Sequence, residues 1–216
     1  MSNKTLSAIP ELQNFMAEFP LDNDVRKVCG AFDEYAAKSK SILVVGCLEE
    51  PVANSLGKLG YNVTGIDLRQ YNKGDQYKGP DTPSYTHLVG DVREYYRNSS
   101  FDCIISISVI EHIGLGYYGE MIDELGDSEA MHRINKNLKS GGICIITVPY
   151  GKSTLITKHW RRYTKDTISR LTQDFIILKK HFFQTSYLGN KDLTEDEANR
   201  YDDLADVSIL LVMKKP

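Results

Sequence analysis

The stretch ILVVGCLEE, residues 42–50, decides the fold of this chain. Its first four residues are apolar and mostly β-branched, a pattern that favours a strand buried on both faces of a parallel sheet. Gly46 follows directly, and Pro51 stands where a helix would take its first turn. A buried strand that passes through a glycine turn into a helix is typical of an open α/β sheet, whose ligands bind beyond the carboxyl ends of the strands.

Further stretches of strand character alternate with helical patterns along the chain. Besides residues 42–46, the predicted strands cover residues 62–66, 86–89, 103–109, 143–148, 175–183 and 207–213. The predicted helices are an amphipathic stretch with Val25, Val28, Phe32 and Tyr35, residues 51–59 before Gly60, a stretch capped by Asp127 or Ser128 and ended by Gly141 and Gly142, and a stretch capped by Thr164. This alternation predicts the α/β class with right-handed crossovers and a doubly wound sheet.

The composition is that of one soluble globular domain. Of 216 residues, 41% are hydrophobic and 25% charged, and 26 Lys and Arg against 29 Asp and Glu give a formal net charge of -3. This near-neutral balance argues against a dedicated nucleic-acid-binding protein. The cysteines show no CxxC spacing, the N-terminal stretch MSNKTLSAIPELQNF holds no apolar signal core, and no apolar run approaches the ~20 residues of a membrane helix. We therefore expect a cytoplasmic protein without a membrane span, whose oligomeric state stays open.

Acidic residues follow two of the predicted strands, near the glycine turn. Asp67 ends the strand at 62–66, where its carboxylate can accept hydrogen bonds from both hydroxyls of an adenosine ribose. Asp91 ends the strand at 86–89, where it can accept the exocyclic amine of an adenine while Val92 packs on the ring face. Each feature alone also occurs in turns, helix caps and NAD-binding sheets. Together they predict an adenosine site, because Gly46, Asp67 and Asp91 follow three successive strands in this order.

The motifs and their order resemble those of class I S-adenosylmethionine (SAM)-dependent methyltransferases. ILVVGCLEE is similar to the first motif of that family, GIDL to its ribose motif, GDV to its adenine motif, FDCIISISVIEHI to its fourth-strand motif and LKSGGICIITVP to the segment that follows. The resemblance covers residues 41–149 and implies a Rossmann-like, doubly wound, seven-stranded sheet with an antiparallel last strand and helices on both faces. It also implies SAM as cofactor, S-adenosylhomocysteine (SAH) as product, and a cofactor site formed by Gly46, Cys47, Leu48, Asp67, Leu68, Asp91, Val92, Ser108 and Val109.

One departure from the family concerns its first motif, which usually reads GxGxG. Only Gly46 is present here, and residues with Cβ atoms fill the rest of the turn. This departure argues further against a dinucleotide, whose pyrophosphate needs the missing glycines. The motifs divide a single domain, residues 1–216, into an N-terminal helical segment or lid at 1–40, a SAM-binding core at 41–150, and a part at 151–216 with the acceptor-side loop, a helix and the final strand pair.

EHIGLGYYGE, residues 111–120, resembles a little-characterised methyltransferase branch linked to surface-glycan synthesis. This resemblance implies O-methylation of a hydroxyl on a sugar, nucleotide-sugar or glycan acceptor, for instance on a deoxysugar such as rhamnose. A neutral imidazole at His112, directly after the fourth strand, is a candidate general base, with helix packing or capping as the alternative; His159 is a second candidate base. The candidate contacts to the acceptor are Glu111, Tyr117, Tyr118, Tyr150, Trp160, Arg161, Arg162 and Tyr163.

Other interpretations of the same sequence stay open. The segment KHWRRYTK, residues 158–165, offers phosphate contacts to an RNA or small-molecule methyltransferase, although the near-neutral charge makes nucleic acid an unfavoured partner. The incomplete glycine motif is also compatible with a module that binds SAM without catalysis. Four acids offer oxygens to a divalent metal, but their spacing specifies no site and a solvated helix is the favoured explanation; they are Glu111, Glu120, Asp123 and Glu124.

Overall fold

Strands alternate with helices along the described part of the chain, which comprises residues 23–48, 50–70, 83–184, 191–202 and 207–216 of the computed structural model. The helices are α1 (Asn23–Ala36), α2 (Val52–Lys58), α3 (Gly126–Asn137), α4 (Lys165–Leu171) and α5 (Glu195–Ala198), with a 3-10 helix at Ile110–His112. The strands are β1 (Ser41–Val45), β2 (Asn62–Asp67), β3 (Thr86–Val89), β4 (Phe101–Ile107), β5 (Leu138–Pro149), β6 (Leu155–Ile156), β7 (Arg161–Arg162), β8 (Ile176–Gln184), β9 (Asp192–Leu193) and β10 (Val207–Lys214). Each predicted strand overlaps one of these.

Eight of the strands form one sheet in the order β3-β2-β1-β4-β5-β10-β8-β9. The first five in the chain are parallel, whereas β10 is antiparallel to both β5 and β8. The antiparallel last strand is thus confirmed, but the expected number of seven strands is wrong. The additional strand is β9, which pairs with Phe182 and Phe183 at the sheet edge. It is only two residues long and lies in an acidic segment, so no strand pattern revealed it.

Hydrophobic layers cover both faces of this sheet, as expected. The apolar side chains of α1 and α2 pack on one face, where Val28, Phe32 and Leu56 are buried. Those of α3 and α4 pack on the other face, where Ile134 and Ile168 are buried. Because β1 and β4 lie between these layers, side chains on both of their faces avoid water, and this explains their nearly continuous apolar sequences.

The limits of two predicted helices are confirmed by their capping residues. Pro51 stands at the N-terminal cap of α2, and Gly60, with φ of 88°, follows its end. Thr164 caps α4: its side chain accepts a hydrogen bond from the Thr167 amide, and the Thr167 side chain in turn accepts one from the Thr164 amide. Local sequence signals therefore position the helices on either side of the parallel strands.

The limits predicted for α3 are wrong at both ends. The residue before the helix is Leu125, whose side chain makes no cap, while Asp127 lies inside the first turn; its Oδ1 accepts from the Ser128 amide at 2.7 Å and its Oδ2 from the Tyr163 hydroxyl at 2.8 Å. At the other end the chain enters β5 directly at Leu138, so Gly141 and Gly142 lie inside a strand. Gly141 has φ of 76° there, a conformation that glycine adopts without strain.

Two predicted segments fall partly outside the described residues. Of the N-terminal lid expected at 1–40, α1 is described and residues 1–22 are not. Between the last two predicted strands, in the part expected at 151–216, only residues 191–202 are described, and they contain β9 and the short helix α5. Within the described ranges, none of the helices is long and apolar enough to cross a lipid bilayer.

Candidate active site

A cleft opens at the carboxyl ends of β1, β2, β3 and β4, on either side of the point where strand order reverses. Its empty volume, which includes space open to solvent, is about 610 Å³. Most of the residues predicted to bind the cofactor line it, namely Gly46, Asp67, Leu68, Asp91, Val92, Ser108 and Val109. The remaining two, Cys47 and Leu48, do not.

Gly46 makes the sharp turn between β1 and the cleft. Its φ is 72°, and a Cβ atom there would lie 2.3 Å from Cγ2 of Val109. A side chain at this position would therefore be strained and would collide with the opposite wall. The next residue, Cys47, is buried beneath the turn with Sγ 3.5 Å from Nδ1 of His87, and burial raises the pKa of its thiol to about 12. The turn tolerates Cys47 because that side chain packs into the core, away from the cleft.

Asp67, at the end of β2, is buried and carries four hydrogen bonds. Its Oδ1 accepts from the backbone amide and from Nε of Arg69, both at 3.0 Å. Its Oδ2 accepts from Nη2 of Arg69 at 3.2 Å and from the backbone amide of Leu48 at 3.3 Å. Leu48 thus contributes to the site through its amide. Arg69, which lines the cleft, is a site residue that the sequence analysis missed although it follows the GIDL motif directly.

Asp91, which follows β3, carries a similar set of contacts. Its Oδ1 accepts from the Arg93 amide at 2.8 Å, and its Oδ2 accepts from Nε and Nη2 of Arg93 at 2.9 and 2.6 Å. Nη1 of Arg93 lies 3.6 Å from Oδ2 of Asp123, and the Arg93 carbonyl accepts from Nε of Arg133 at 2.8 Å. Val92, between the two, is buried and forms part of the cleft wall.

The end of β4 is held in an uncommon backbone conformation. Ser108 has φ of 48°, which is rare for a residue other than glycine. Its amide donates to the carbonyl and to Oγ1 of Thr147, both at 3.1 Å, and its hydroxyl donates to Oδ2 of Asp24 at 3.0 Å. Asp24 comes from α1, so the N-terminal helix fixes this corner of the cleft. In the sequence, Asp24 is marked only by its position: it lies four residues before Val28, which places a charged residue on the apolar face of the helix.

The 3-10 helix after β4 places His112 on the cleft wall. Its Nδ1 is hydrogen-bonded to the carbonyl of His159, so the proton of the neutral ring belongs on Nδ1 and the lone pair on Nε2. Nε2 lies 3.9 Å from Oε1 of Glu111. His159 meets His112 through its backbone, and its own ring is exposed. Of the two predicted bases, this geometry favours His112.

Glu111 is a buried acid behind His112. It is 2% exposed, and its Oε2 has no hydrogen-bond partner among the residues that the structure describes. Burial raises the pKa of Glu111 well above its usual value, and the nearby Asp24 raises it further. Burial therefore disfavours the charged form of this carboxyl, which lies behind His112 and does not line the cleft itself.

The acids considered for a metal do not converge. Glu120 accepts from the amides of Gly116 and Tyr118 at 2.9 and 3.0 Å, so it braces its own loop. Asp123 accepts from the Leu125 amide at 2.9 Å. Within the described ranges, no group of three or more His, Cys, Asp or Glu side chains is arranged to hold a metal ion.

Aromatic side chains form a row along the cleft mouth. The guanidinium carbon of Arg69 lies 5.3 Å from the ring centroid of Tyr118, and this ring contacts His112 edge-on at 6.0 Å. Tyr117 contacts Tyr118 at 4.9 Å and His159 at 4.4 Å, again edge-on. The row joins the end of β2 to the loop before β7. Trp160, in that loop, is partly exposed.

Four of the predicted acceptor contacts lie in the interior. Arg161 donates to the Ile113 carbonyl at 2.6 Å, and Arg162 binds Oδ1 of Asp202 at 3.0 Å. The Tyr150 hydroxyl donates to Oδ1 of Asn199 at 2.6 Å, and that of Tyr163 donates to Asp127. All four are at most 5% exposed. Since their polar atoms bind the protein's own oxygens, this placement favours a structural role over the predicted contact with the acceptor.

Solved structures with the same fold cover nearly the whole chain. 1,6-Didemethyltoxoflavin-N1-methyltransferase of Burkholderia thailandensis, solved with bound 1,6-didemethyltoxoflavin and SAH, is 12% identical with a TM-score of 0.62, over 95% of this chain and 84% of that one. The PH0226 protein of Pyrococcus horikoshii is 14% identical with a TM-score of 0.62, over 97% of both chains. The [4+2]-cyclase SpnF is 16% identical with a TM-score of 0.59, over 89% and 81%. At these identities the likeness establishes the fold, which is the α/β Rossmann-like methyltransferase fold.

Curated relatives match a shorter stretch, and a family model matches most of the chain. Ubiquinone biosynthesis O-methyltransferase of Rickettsia akari is 30% identical over 96 residues, and that of Rickettsia bellii (strain OSU 85-389) is 31% identical over 108 residues. These matches cover 44% and 49% of this chain but only 38% and 40% of the relatives, so the chain spans well under half of their length. Residues 53–216 match the family described as "Caenorhabditis protein of unknown function, DUF268", and the chain belongs to this family.

Proposed function

We propose that the protein is a SAM-dependent O-methyltransferase that acts on a hydroxyl of a sugar, nucleotide-sugar or glycan. The observation that carries the proposal is that a glycine turn, two strand-end acids and a histidine with a defined lone pair line a single cleft. The glycine turn is Gly46, the acids are Asp67 and Asp91, and the histidine is His112. The relatives named O-methyltransferases support the same class of reaction.

The residues present fit an adenosine group. The two bonds that Asp67 accepts from the Arg69 side chain are the ones that the ribose hydroxyls would replace, and Asp91 retains lone-pair capacity on Oδ1 for an exocyclic amine. Apolar side chains, among them Ile66, Val92 and Val109, supply surfaces for the flat adenine ring. The bound cofactor supplies an electrophilic methyl group on a sulfonium, while the protein positions the acceptor and removes its proton.

His112 is the base in this proposal. Its Nδ1–H is fixed by the His159 carbonyl, so Nε2 is the atom that accepts the hydroxyl proton as the oxygen–methyl bond forms. The carbonyl then stabilises the resulting imidazolium, in the way that an orienting acceptor does in other histidine bases. The neighbouring Glu111 lies with Oε1 3.9 Å from Nε2 of His112, and burial disfavours the charged form of its carboxyl.

The exposed rings at the mouth support a sugar acceptor. Tyr117 and Tyr118 are 53% and 39% exposed, and with Trp160 they offer apolar ring faces to the apolar face of a sugar. An RNA acceptor is less well supported, because Arg161 and Arg162 are buried and bound to protein oxygens. A cytoplasmic location is part of the proposal and agrees with four cysteines that are free and buried.

A planar small molecule is the second candidate acceptor. It is favoured by the named substrate of the Burkholderia thailandensis enzyme, a heteroaromatic compound, and by the same row of tyrosines, which stacks flat rings as well as sugars. A third outcome is binding without transfer, since a cyclase also has this fold.

The test combines calorimetry with a transfer assay. Titration with SAH measures cofactor binding, and labelled SAM is then offered with nucleotide-sugars, short glycans, phenols and N-heterocycles. Label in a sugar ether supports the proposal, and label in an aromatic product supports the second candidate. SAH binding without transfer to any of these acceptors would contradict both, and absence of SAH binding would overturn the cofactor assignment itself.

A further inference from the structure

The loop between the 3-10 helix and α3, residues 114–126, is closed at its neck and braced inside. Its two ends meet at glycines, since a Cβ atom on Gly126 would lie 2.8 Å from Cα of Gly114. Across this neck the Asp123 amide donates to the Gly114 carbonyl at 2.9 Å, and the Gly126 amide donates to the Asp123 carbonyl at 3.0 Å. Glu120 braces the tip, because its carboxylate accepts hydrogen bonds from two loop amides. Compact loops whose ends meet in this way are frequently functional.

This braced loop holds four large apolar side chains in contact with water. Met121 is 80% exposed, Ile122 76% and Leu125 65%, and Tyr117 is 53% exposed. Ile122 lies against the turn before Tyr117, since a Cβ atom on Gly116 would lie 2.8 Å from its Cγ1. A single exposed apolar residue needs no explanation, but several on one well-bonded loop mark a binding surface. We call Tyr117, Met121, Ile122 and Leu125 the apolar patch.

The apolar patch adjoins the candidate active site. Tyr118 and Glu120 line the cleft, and each is the chain neighbour of a patch residue. The ring of Tyr117 contacts that of Tyr118 at 4.9 Å, which in turn contacts His112, the base in the proposed function. A macromolecule seated on the patch would therefore obstruct the mouth of the cleft. A chain attached to the acceptor could instead leave the cleft and extend over the patch.

The charge of the loop separates a hydrocarbon chain from a charged membrane surface as the ligand. Residues 114–126 contain three acids and neither lysine nor arginine. The surface of a bilayer with anionic lipids attracts basic segments, so an acidic loop is unsuited to it. An uncharged hydrocarbon chain meets no such repulsion and gains from each methylene group that it buries.

We propose that the apolar patch binds a hydrocarbon chain joined to the acceptor, which is an amphiphile with its sugar in the cleft and an alkyl or prenyl chain along residues 117–125. This inference rests on the proposed function and narrows its substrate class to lipid-linked sugars. The cleft then supplies the cofactor and the base, while the patch adds affinity that does not depend on the polar groups of the sugar.

The experiment titrates the protein with alkyl β-glucosides, from methyl to octyl, below the concentrations at which they form micelles. Calorimetry is done with and without SAH. Each methylene that the patch shields from water should tighten binding about two- to fourfold, so octyl glucoside should bind at least about tenfold more tightly than butyl glucoside. Met121→Ser/Ile122→Ser should remove most of this dependence on chain length. The control is Ile176→Ser, which changes a 51% exposed residue of β8 outside the cleft and should respond like wild type.

Two results of the titration would overturn the inference. One is an affinity of wild type that does not change with chain length, which is also expected if another part of this chain already covers the patch. The other is an equal dependence on chain length in the double variant. Absence of SAH binding would contradict the proposed function, and the glucoside series without SAH reports on the patch independently of that outcome.

Other occupants of the patch give distinct results in the same proteins. Sedimentation velocity without glucosides detects a second copy of the chain, and a dimer that dissociates in Met121→Ser/Ile122→Ser would assign the patch to self-association. Flotation with phosphatidylcholine vesicles detects a bilayer surface, and binding that this variant loses would assign the patch to the membrane. Either result would overturn the inference, whereas a monomer that ignores the vesicles and binds longer chains more tightly supports it.

Discussion

The two strand ends that face the proposed nucleoside carry the same three-residue pattern, an aspartate, an apolar residue and an arginine. In both, the first carboxylate oxygen accepts the amide two residues on, and the arginine returns its guanidinium to the same carboxylate. They differ in what surrounds the arginine. The side chain of Arg93 is 12% exposed and also lies near Asp123, whereas that of Arg69 is 41% exposed and rests on a tyrosine ring.

This difference teaches that one local motif serves two purposes. A guanidinium enclosed between two carboxylates, with its carbonyl bound by a third residue, is part of the framework. The guanidinium of Arg69 is more exposed and rests on an aromatic ring, so water competes for its bonds to Asp67 more than for those of Arg93 to Asp91. We therefore expect the turn at Asp91 to hold its shape and the turn at Asp67 to respond to ligands.

The largest effect is expected from Asp67→Ala. Both ribose hydroxyls would lose a charged acceptor in a buried place, and each such bond is worth about 1.5–3 kcal/mol. SAH affinity in calorimetry should fall by roughly 10²-fold or more, which abolishes binding at practical concentrations. The matched control is Asp102→Ala, since Asp102 bonds the Ser41 amide at the opposite end of the sheet. Equal SAH affinity in wild type and Asp67→Ala would show that the site assignment is wrong.

His112→Ala tests whether His112 is the general base. This residue lies on the Arg69 side of the cleft, since both side chains contact the ring of Tyr118. Loss of the base should cut turnover by roughly 10²–10⁴-fold while SAH affinity stays close to that of wild type. His159→Ala serves as the control, because that residue supplies only its backbone carbonyl to His112. Steady-state rates for an identified acceptor decide the matter, and unchanged turnover in His112→Ala would remove this residue from the mechanism.

Arg93→Ala and Arg69→Ala compare the two arginines directly through the free energy of unfolding. Removal of Arg93 leaves the Asp91 carboxylate without its cation in a largely enclosed place, and we expect a loss of about 2 kcal/mol. Removal of Arg69 also leaves a buried carboxylate without this cation, but Asp67 keeps two backbone amide donors where Asp91 keeps one, so we expect a smaller loss of about 1 kcal/mol. Urea unfolding of both variants provides the values. Equal losses would mean that the two turns do not differ as their surroundings indicate.

Much of the fold was predictable because its signals are local. The run at 42–45 is apolar on both faces, Thr164 carries a hydroxyl cap, and Gly60 supplies a positive φ, so short stretches identify these elements. The strand β9 and the true end of α3 were not predictable in this way. The first depends on pairing with Phe182 and Phe183, and the second on the register between β4 and β5.

In the candidate site, too, some residues are identified by local sequence, whereas others are brought there only by the folded chain. Gly46, Asp67 and Asp91 stand in recognisable positions after strands, and the structure brings them to one cleft. Asp24 escaped notice because its contact with Ser108 joins residues 84 positions apart. Arg161 and Arg162 were assigned to the acceptor because they stand in a basic loop in the sequence. Their burial depends on carbonyls and carboxylates that only the folded chain brings to them.

The smallest expected effect concerns Asp102, whose Oδ1 pairs with Nζ of Lys139 at 2.7 Å outside the cleft. This ion pair is a reference for the stability that the aspartate–arginine pairs of the two turns contribute. Partial desolvation raises its pKa, but hydrogen bonds from Lys139 and from the amides of Lys40 and Ser41 outweigh this and lower it from 3.8 to about 2. Because the folded-state pKa is depressed, its stabilisation is complete above about pH 4 and is lost as the pH falls toward 2. Asp102→Asn should therefore flatten the acid limb of the unfolding free energy, measured by urea titration between pH 5 and pH 2, whereas an unchanged slope would mean that this pair contributes nothing.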